Sequence, residues 1–311
     1  MKYSHDASVM VLGANGYIGK NLCIWLLRAG YKVIAVGRSQ SFRGIDEVDC
    51  THLTYIRADL LVQEDVSRLP LSESKMIFLM NGKTGTNNGF IEPIDYLLGN
   101  DGALLNILKS YVEKNAKGRL IFPSTRLVYQ GVENQFLAED AVKAPKTLYG
   151  VNKLSCEQYL SVWSNAFGVL YTVFRICVPY GQLISGDYSY GTIGMMLDQA
   201  KNKGAIILFG DGSIKRTFTH VSDICKVMVG VGQLENAKNK VINIGGPDNI
   251  SLLELAKMIA DKHQVKVEFS QWPALHLSIE TGDTMFDDAL LRGMYEFPYE
   301  RSLINYFQGD L

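Results

Sequence analysis

Short apolar runs alternate with longer stretches of helical periodicity over the first half of the chain. Residues 8–12 predict a strand, residues 17–29 a helix that ends at Gly30, and residues 32–36 the next strand. This alternation is typical of βαβ units, in which helices cover both faces of a parallel sheet. We therefore predict an α/β fold with a doubly wound parallel sheet. Further strands are predicted at residues 53–57, 76–80, 119–123 and 169–175, and further helices at residues 92–114 and 147–165.

The pattern changes after residue 175, where glycine, serine and tyrosine become frequent. Residues 178–181 and 185–194 predict loops, as expected where a sheet gives way to a ligand-binding cap. Residues 219–231 and 241–245 again have the apolar content of core elements.

These elements divide the chain into two lobes. We predict a core domain over residues 1–174, with residues 217–246 returning to it, and a second lobe mainly over residues 175–311. Within the second lobe, Ser251 predicts the N-cap of a helix that ends near residue 263, because apolar positions follow it at helical spacing.

The first predicted helix opens with glycines spaced three residues apart. Gly13, Gly16 and Gly19 directly follow the first strand, so the backbone there can approach a dinucleotide pyrophosphate placed on the helix N-terminus. The spacing is GxxGxxG rather than GxGxxG, and a turn that only permits tight helix–strand packing is the alternative. We predict a cofactor site that also includes the intervening residues Asn15, Tyr17 and Ile18.

The end of the second predicted strand indicates which dinucleotide fits. Arg38 and Ser39 stand where an acidic residue would bond the ribose hydroxyls of NAD. A guanidinium and a hydroxyl suit the 2′-phosphate of NADP(H), so we predict NADP(H) over NAD(H), with Arg38 as the main determinant. A solvated arginine on a loop is the alternative. Asp59 and Leu60 are predicted to lie near the adenine, although an aspartate there can equally cap the next helix.

Tyr149 and Lys153 lie one helical turn apart in the predicted helix 147–165, which places them on one face. A free phenol titrates near ~10, so it is a poor proton carrier at neutral pH unless a nearby cation stabilises the phenolate. We therefore predict that the pair acts as a tuned acid and base. An ordinary buried ring beside a solvated lysine is the alternative, since this spacing often arises by chance.

Composition and charge narrow the classes of partner. The 31 basic and 32 acidic residues nearly cancel, and no long basic run is present, so we expect no nucleic-acid partner. The five cysteines lie far apart without a CxxC pair, which predicts reduced thiols in a cytoplasmic protein and no metal site. The first residues lack the apolar stretch of a secretion signal, and no apolar run reaches the ~18 residues of a membrane helix. We expect a cytoplasmic protein that does not enter the membrane.

Several short motifs, taken in order, resemble those of a known family. The three glycines are followed by Asp59, Asn81-Gly82, Asn100, Ser124-Thr125, Tyr149 and Lys153, and then by motifs at residues 209–212, 216–223 and 241–246. In this order they resemble the extended short-chain dehydrogenase/reductases, the NAD(P)-dependent epimerase/dehydratase family that acts on nucleotide sugars. Each motif alone is weak, but the likeness spans nearly the whole chain.

The resemblance implies a seven-stranded Rossmann core that binds NAD(P) and a smaller C-terminal substrate-binding lobe, in a homodimer formed through two long helices per subunit. It also implies roles for individual residues. Thr125 would polarise the sugar oxygen, Tyr149 would transfer the proton, and Lys153 would lower the pKa of Tyr149 and bind the nicotinamide ribose. Arg216 would hold the diphosphate of a nucleotide sugar. The remaining implied contacts are Asn81 and Gly82 with the cofactor, and Ser124 and Arg126 with the substrate.

The chain departs from the family pattern at positions that bear on the reaction. Members that dehydrate sugars carry an Asp-Glu pair after the catalytic threonine, where this chain has Arg126 and Leu127, so we do not expect dehydration. Val178 replaces an asparagine that contacts phosphate, and Glu280 replaces a second arginine. One arginine would hold a diphosphate less tightly than two, unless Lys215 or Arg292 takes the place of the second. His220, in the same motif as Arg216, is expected to be structural.

The cofactor prediction guides the choice of reaction. A reductase exchanges its cofactor at every turnover and profits from NADPH, so Arg38 favours a reductase of a nucleotide-linked 4-keto-6-deoxyhexose at C4, in deoxysugar and polysaccharide biosynthesis. An NAD-dependent nucleotide-hexose 4-epimerase shares every catalytic residue named and is the first alternative. A non-catalytic NADP-binding regulator on the same fold is the second, and the presence of Tyr149 and Lys153 counts against it.

Overall fold

The structure, a computed structural model, describes residues 8–43, 48–185 and 190–308 of the chain. In chain order its strands are β1 Ser8–Leu12, β2 Lys32–Gly37, β3 Leu53–Arg57, β4 Ser74–Leu79, β5 Arg119–Thr125, β6 Phe136–Leu137, β7 Tyr171–Ile176, β8 Val178–Tyr180, β9 Ala205–Phe209, β10 Lys215–His220, β11 Lys240–Ile244, β12 Asp248–Ser251, β13 Lys266–Ser270 and β14 Met285–Phe286. Its α-helices are α1 Tyr17–Arg28, α2 Gln63–Arg68, α3 Asn88–Ile91, α4 Pro93–Leu97, α5 Ala103–Glu113, α6 Leu148–Phe167, α7 Gly191–Lys203, α8 Val221–Gly232, α9 Leu252–His263, α10 Ala274–Ile279, α11 Ala289–Met294 and α12 Leu303–Gln308.

Seven strands form one parallel sheet in the order β11-β7-β5-β4-β1-β2-β3. The central strands are apolar on both faces, and β5 is buried at every position, as a parallel sheet covered on both sides requires. Helices α1 and α8 bury their apolar faces on one side of the sheet, and α5 and α6 bury theirs on the other. The predicted α/β fold with a doubly wound parallel sheet is thus confirmed.

Most elements after residue 175 lie outside the central sheet. They include the three-stranded sheet β12-β10-β8 and the strand pairs β13-β9 and β14-β6, the last made with a strand from the first half of the chain. Together with α7, α9 and α12, these strands bury a separate apolar cluster. Strand β11 returns to the edge of the central sheet beside β7, and α8 packs against α1. The exact division into two lobes at residue 174 stays a prediction.

Three stretches differ from the sequence prediction. The loop predicted over residues 178–181 is wrong for Val178–Tyr180, which form strand β8 and pair with β10. The helix predicted over residues 92–114 is divided by a π-helical turn, Leu98–Gly102, which lies between α4 and α5. The loop predicted over residues 185–194 is wrong from Gly191 onward, where α7 begins and buries Ile193 and Met196 at helical spacing. Residues 186–189 of that prediction lie outside the described residues. Along the described ranges, no helix combines the length and the apolar character that crossing a bilayer requires.

Glycines allow a very close approach of backbones between β1 and α1. Gly13 has a φ of 77°, and a Cβ atom there would lie 2.6 Å from the backbone of Asn81. A Cβ atom at Gly19, in the first turn of α1, would lie 2.3 Å from the carbonyl oxygen of Gly13. The tight packing that the sequence left as the alternative is therefore present at Gly13 and Gly19.

We expect Gly19→Ala to lower the free energy of unfolding by about 1–3 kcal/mol, because its methyl group would overlap the Gly13 carbonyl. In an unobstructed helix the same substitution stabilises by roughly 0.5–1 kcal/mol. Gly293→Ala in α11 is the matched control, since the added carbon meets no atom within 4 Å beyond its chain neighbours and the backbone of its own helix. Urea unfolding of both variants measures the difference. Equal stabilities would contradict the packing role of Gly19.

His220 is fully buried at the start of α8. Its Nδ1 accepts a hydrogen bond from the Ser222 amide at 3.2 Å, so the ring acts as the N-cap of the helix. Burial, followed by the charge of Arg301, lowers the pKa of His220 to about 4. This environment keeps the imidazole neutral and agrees with the structural role expected from the sequence.

The buried imidazole should make the protein sensitive to acid. A free histidine titrates near ~6.5, so between that pH and pH 4 the unfolded chain binds a proton that folded His220 does not bind. The stability that neutral His220 provides is therefore complete above about pH 6.5 and is lost as the pH falls toward the folded pKa. His220→Asn keeps a capping oxygen but has no group that titrates in this range. Between about pH 6.5 and about pH 5 the variant should therefore lose about 1–2 kcal/mol less unfolding free energy than the unaltered protein. Urea unfolding at the two pH values measures this loss, and equal losses in the two proteins would refute the explanation.

Candidate functional site

Two cavities open along the carboxyl ends of the central strands, the edge at which parallel α/β sheets bind ligands. The first has a volume of about 440 Å³ and the second of about 370 Å³. They share Gly16, Met80, Asn81 and Gly82 as a common wall. The two cavities therefore form one groove. Residues at or just after the ends of β1, β2, β3, β4 and β5 line it.

The groove passes over the N-terminus of α1. Gly16 is the N-cap residue and provides no side-chain cap, so the first amides of the helix are available to a ligand. An anion placed there would be stabilised by these amides and by the helix dipole. Asn81 Oδ1 is buried and has no hydrogen-bond partner among the described residues. The predicted Gly13, Asn15, Gly16, Tyr17 and Ile18 all line the groove, whereas Gly19 packs behind it; these residues fit a dinucleotide.

The second cavity has the lining expected for the adenosine half of a dinucleotide. Arg38 and Ser39 line it at the end of β2, and Asp59 and Leu60 line it after β3. One carboxylate oxygen of Asp59 accepts a hydrogen bond from the Leu61 amide at 3.0 Å. Asp59 thus stabilises a local turn and lies at the cavity wall. It does not cap the next helix, since the N-cap of α2 is Val62, so that alternative is wrong.

Thr125, Tyr149 and Lys153 line the first cavity together. Thr125 ends β5, and the other two residues lie in the first turns of α6. The hydroxyl of Thr147 accepts a hydrogen bond from the Gly150 amide at 3.0 Å and so caps this helix. Lys153 Nζ lies 5.7 Å from the centre of the Tyr149 ring. The structure therefore brings together the three groups that the sequence selected.

The electrostatics of Tyr149 differ from expectation. Burial, ahead of the neighbouring Tyr190 and Tyr96, raises the pKa of Tyr149 above its usual range. Lys153 Nζ is buried and donates to the carbonyl oxygen of Pro123 at 2.8 Å, and burial lowers the pKa of Lys153 to about 8. The expected lowering of the Tyr149 pKa is wrong for this arrangement, because the loss of water favours the neutral phenol and the neighbouring tyrosines act in the same direction. Tyr149 therefore keeps its proton at neutral pH.

Ser124 and Thr125 both line the cavity but use their hydroxyls differently. Ser124 Oγ donates to Glu157 Oε1 at 2.5 Å, and Glu157 also forms a buried ion pair with Arg175 at 2.6 Å. The hydroxyl proton of Ser124 is thus bound within the protein. Thr125 Oγ1 accepts from the Leu127 amide at 3.3 Å, which leaves its hydroxyl hydrogen available for a ligand.

The two arginines predicted to contact substrate have different surroundings. Arg216 is buried, donates to the carbonyl of Gly282 and pairs with Glu280 at 2.5 Å. It lines neither cavity. Arg126 lines the first cavity, and its Nη1 donates to Thr281 Oγ1 at 3.2 Å. Arg126 is thus the one of the two that faces the ligand space, and the diphosphate role of Arg216 stays a prediction.

The sequence analysis missed Thr84, Cys177 and Tyr190, which also line the first cavity. The Tyr190 ring stacks on Tyr17 with centres 4.0 Å apart and an interplanar angle of 11°. Thr84 follows Asn81 at the carboxyl end of β4, and that position was the available signal. Tyr190 precedes α7, the helix that the sequence pattern did not predict. Within the described ranges, no group of three or more His, Cys, Asp or Glu side chains is placed to hold a metal ion.

Known proteins share both the sequence pattern and the fold. The model of the NAD dependent epimerase/dehydratase family matches residues 9–245. The "Uncharacterized UDP-glucose epimerase YtcB" of Bacillus subtilis (strain 168) is 26% identical over 263 residues, which cover 81% of each chain. The solved UDP-N-acetylglucosamine 4-epimerase from Methanobrevibacter ruminantium M1, in complex with UDP-N-acetylmuramic acid, superposes with a TM-score of 0.83 at 22% identity, covering 97% of this chain and 95% of its own. UDP-glucuronic acid 4-epimerase from Bacillus cereus, in complex with UDP-glucuronic acid and NAD, has a TM-score of 0.83 at 24% identity, with coverages of 97% and 96%.

The matched family region contains the glycine turn, Thr125, Tyr149 and Lys153. It covers more than half of the chain, and the solved structures share the same fold over nearly their whole length. The resemblance inferred from the sequence motifs is therefore confirmed. The protein is an NAD(P)-dependent enzyme that belongs to the NAD-dependent epimerase/dehydratase family.

Proposed function

We propose that the protein is a nucleotide-sugar 4-epimerase. The observation that carries this proposal is the placement of Thr125, Tyr149 and Lys153 in one cavity of about 440 Å³ that continues into the dinucleotide groove. The three relatives named above are epimerases by name, and they favour the epimerase alternative over the C4 reductase that was expected first. Two of them are solved with UDP-sugars, which supports a nucleotide sugar as the substrate.

Tyr149 and Thr125 would perform the proton chemistry. The nicotinamide, when bound, would supply the group that takes the hydride from C4 and gives it back to the opposite face and, in its oxidised form, a positive charge. A positive charge near the phenol lowers its pKa and opposes the burial that raises the pKa of Tyr149. Tyr149 would take the proton of the sugar 4-hydroxyl and return it after the sugar has turned its other face, while Thr125 donates a hydrogen bond to the same oxygen.

Lys153 would hold the cofactor and set the charge around Tyr149. An ammonium has three donors, and one is used by the carbonyl of Pro123. The others can bond ribose hydroxyls of a cofactor that extends into the first cavity, which Lys153 lines. With its pKa lowered to about 8, Lys153 remains mostly protonated at neutral pH. It would therefore stabilise the phenolate of Tyr149 during the transfer.

The reductase remains the second candidate because Arg38 and Ser39 line the adenosine cavity. These residues support NADP(H) rather than NAD(H), whereas the related Bacillus cereus structure contains NAD. A reductase of a nucleotide-linked 4-keto-6-deoxyhexose would use the same Tyr149 and Thr125 to protonate the new hydroxyl. Oxidation of added NADPH by a 4-keto sugar, without 4-epimerisation of any hydroxyl sugar, would favour the reductase.

We further propose a cytoplasmic homodimer. Apolar side chains remain exposed on α4, on the π-helical turn that follows it and on α6, where two adjacent helices could pair with a second copy. All five cysteines are free thiols, which suits a reducing compartment. The exposed apolar side chains in question are Ile94, Leu97, Leu98, Val151 and Val162.

Tyr149→Phe should lower kcat for 4-epimerisation by on the order of 10²–10⁴-fold, because the variant lacks the proton carrier. Binding of the dinucleotide should be nearly unchanged, since the ring and Lys153 remain. The measurement is conversion of UDP-glucose and UDP-glucuronate into their 4-epimers, together with cofactor titration. Tyr31→Phe is the control, because Tyr31 is a buried tyrosine outside both cavities. Full activity of Tyr149→Phe would remove Tyr149 from the mechanism.

Arg38→Ala should weaken binding of NADP⁺ by roughly 10- to 100-fold, because a charge-assisted hydrogen bond to the 2′-phosphate contributes about 1.5–3 kcal/mol. Binding of NAD⁺ should change little. Calorimetric titration of both dinucleotides measures the preference. Arg68→Ala is the control, because the Arg68 side chain is 77% exposed on α2 outside the cavities. Tighter binding of NAD⁺ than of NADP⁺ by the unaltered protein would refute the predicted cofactor preference.

A further inference from the structure

Arg126 introduces a positive charge at the reactive end of the first cavity. It directly follows Thr125, in a short 3-10 turn that begins where β5 ends. The side chain is half-buried and lines the same cavity as Tyr149. Consecutive Cα atoms lie about 3.8 Å apart, so the Cα atom of Arg126 lies next to the residue that carries the catalytic hydroxyl. The backbone of Arg126 thus adjoins Thr125, and its guanidinium reaches Thr281 at the wall of the first cavity.

Among the described residues, Arg126 forms no direct ion pair, and the one carboxylate whose charge acts on it belongs to Glu280. Glu280 is already paired with Arg216 at 2.5 Å, so two arginines share its charge. The one hydrogen bond of Arg126 to a described side chain goes to the neutral hydroxyl of Thr281. Burial, followed by the charge of Arg216, lowers the pKa of Arg126 to about 10, so the guanidinium is still charged at neutral pH. A half-buried arginine that shares one carboxylate with a second arginine leaves an excess positive charge, which favours an anion supplied by the ligand.

We infer that Arg126 binds an anionic group on the sugar itself, and that the enzyme acts on a nucleotide-linked hexuronate. This inference rests on the proposed function, because it assumes that the reacting C4 lies beside Thr125 and Tyr149. In a hexuronate the carboxylate is attached to C5, the carbon next to C4, so it falls within reach of the residue after Thr125. A carboxylate also matches the planar fork of a guanidinium, which can form two parallel hydrogen bonds with it.

The diphosphate is the other anion of a nucleotide sugar, and the geometry disfavours it for Arg126. The diphosphate is separated from C4 by the sugar ring, so an arginine that contacts it should stand away from the proton-transfer groups. Arg126 adjoins Thr125 instead. The Arg216–Glu280 pair is internally neutral and does not line the cavity. Of the two arginines, Arg126 is therefore the one that presents its charge to the ligand.

Two sugars that differ only at C6, UDP-glucuronate and UDP-glucose, test the inference. We expect the unaltered protein, purified with its cofactor, to have a kcat/KM for UDP-glucuronate that is at least about 10-fold higher. In Arg126→Ala the ratio of the two kcat/KM values should fall by roughly 10- to 100-fold, mainly through KM. Arg126→Lys should retain part of the preference, because it keeps the charge without the bidentate fork.

Lys146→Ala is the matched control. Lys146 is an exposed cation that donates to the carbonyl of Glu280 at 2.7 Å but lines neither cavity, so its loss should leave the ratio unchanged. Calorimetric affinities for both sugars are measured in parallel, which separates recognition from turnover.

The possible outcomes distinguish this inference from the proposed function. Equal epimerisation of both sugars by the unaltered protein would overturn the role of Arg126 and leave the 4-epimerase in place. A binding preference for UDP-glucuronate that depends on Arg126, without epimerisation, would support Arg126 and refute the 4-epimerase. Equal losses for both sugars and for UDP in Arg126→Ala would assign Arg126 to the diphosphate and overturn the inference. Absence of any preferential binding of UDP-glucuronate would overturn it as well.

Discussion

The contact between the backbones of Gly13 and Asn81 is the constraint on which the ligand groove depends. A side-chain carbon at Gly13 would lie 2.6 Å from Asn81, so only glycine lets the turn after β1 rest against the chain after β4. This approach makes Gly16 and Asn81 common to both cavities. The anion site on α1 and the proton-transfer groups are thereby held at a fixed separation, as a single dinucleotide requires.

A buried ion pair helps to fix the positions of the reactive groups relative to the central sheet. Glu157 on α6 accepts a hydrogen bond from Ser124 on β5 and pairs with Arg175 on β7, so one carboxylate joins a helix to two strands. Glu157 lies one turn beyond Lys153 on the same helix, and Ser124 precedes Thr125. The positions of the lysine and the threonine are therefore linked through a network that is not itself in contact with the reacting atoms. Removing one member of such a buried network leaves its partner without compensation, which is usually strongly destabilising.

Several features that depend on residues close together in the sequence were predicted correctly from the sequence. Strands β1 and β3 begin and end where their apolar runs do, and the spacing of Tyr149 and Lys153 sufficed to place them in one cavity. The sequence could not show that Arg216 pairs with Glu280, because 64 residues separate them. It also could not show the sign of the Tyr149 pKa shift, which depends on how much water the folded protein excludes. Helix α7 was missed because glycines mask its apolar positions.

The stacked rings of Tyr17 and Tyr190 connect the dinucleotide turn to the helix that follows in the C-terminal part of the chain. Any opening that moves α7 away from α1 must separate these rings, at a cost of about 0.5–1.5 kcal/mol. That cost corresponds to a roughly two- to tenfold slower escape of whatever lies beneath them. The residence time of a ligand in the groove thus depends on an aromatic contact that takes no part in proton transfer. Substitutions at this contact would change how long the ligand stays bound without altering the chemistry.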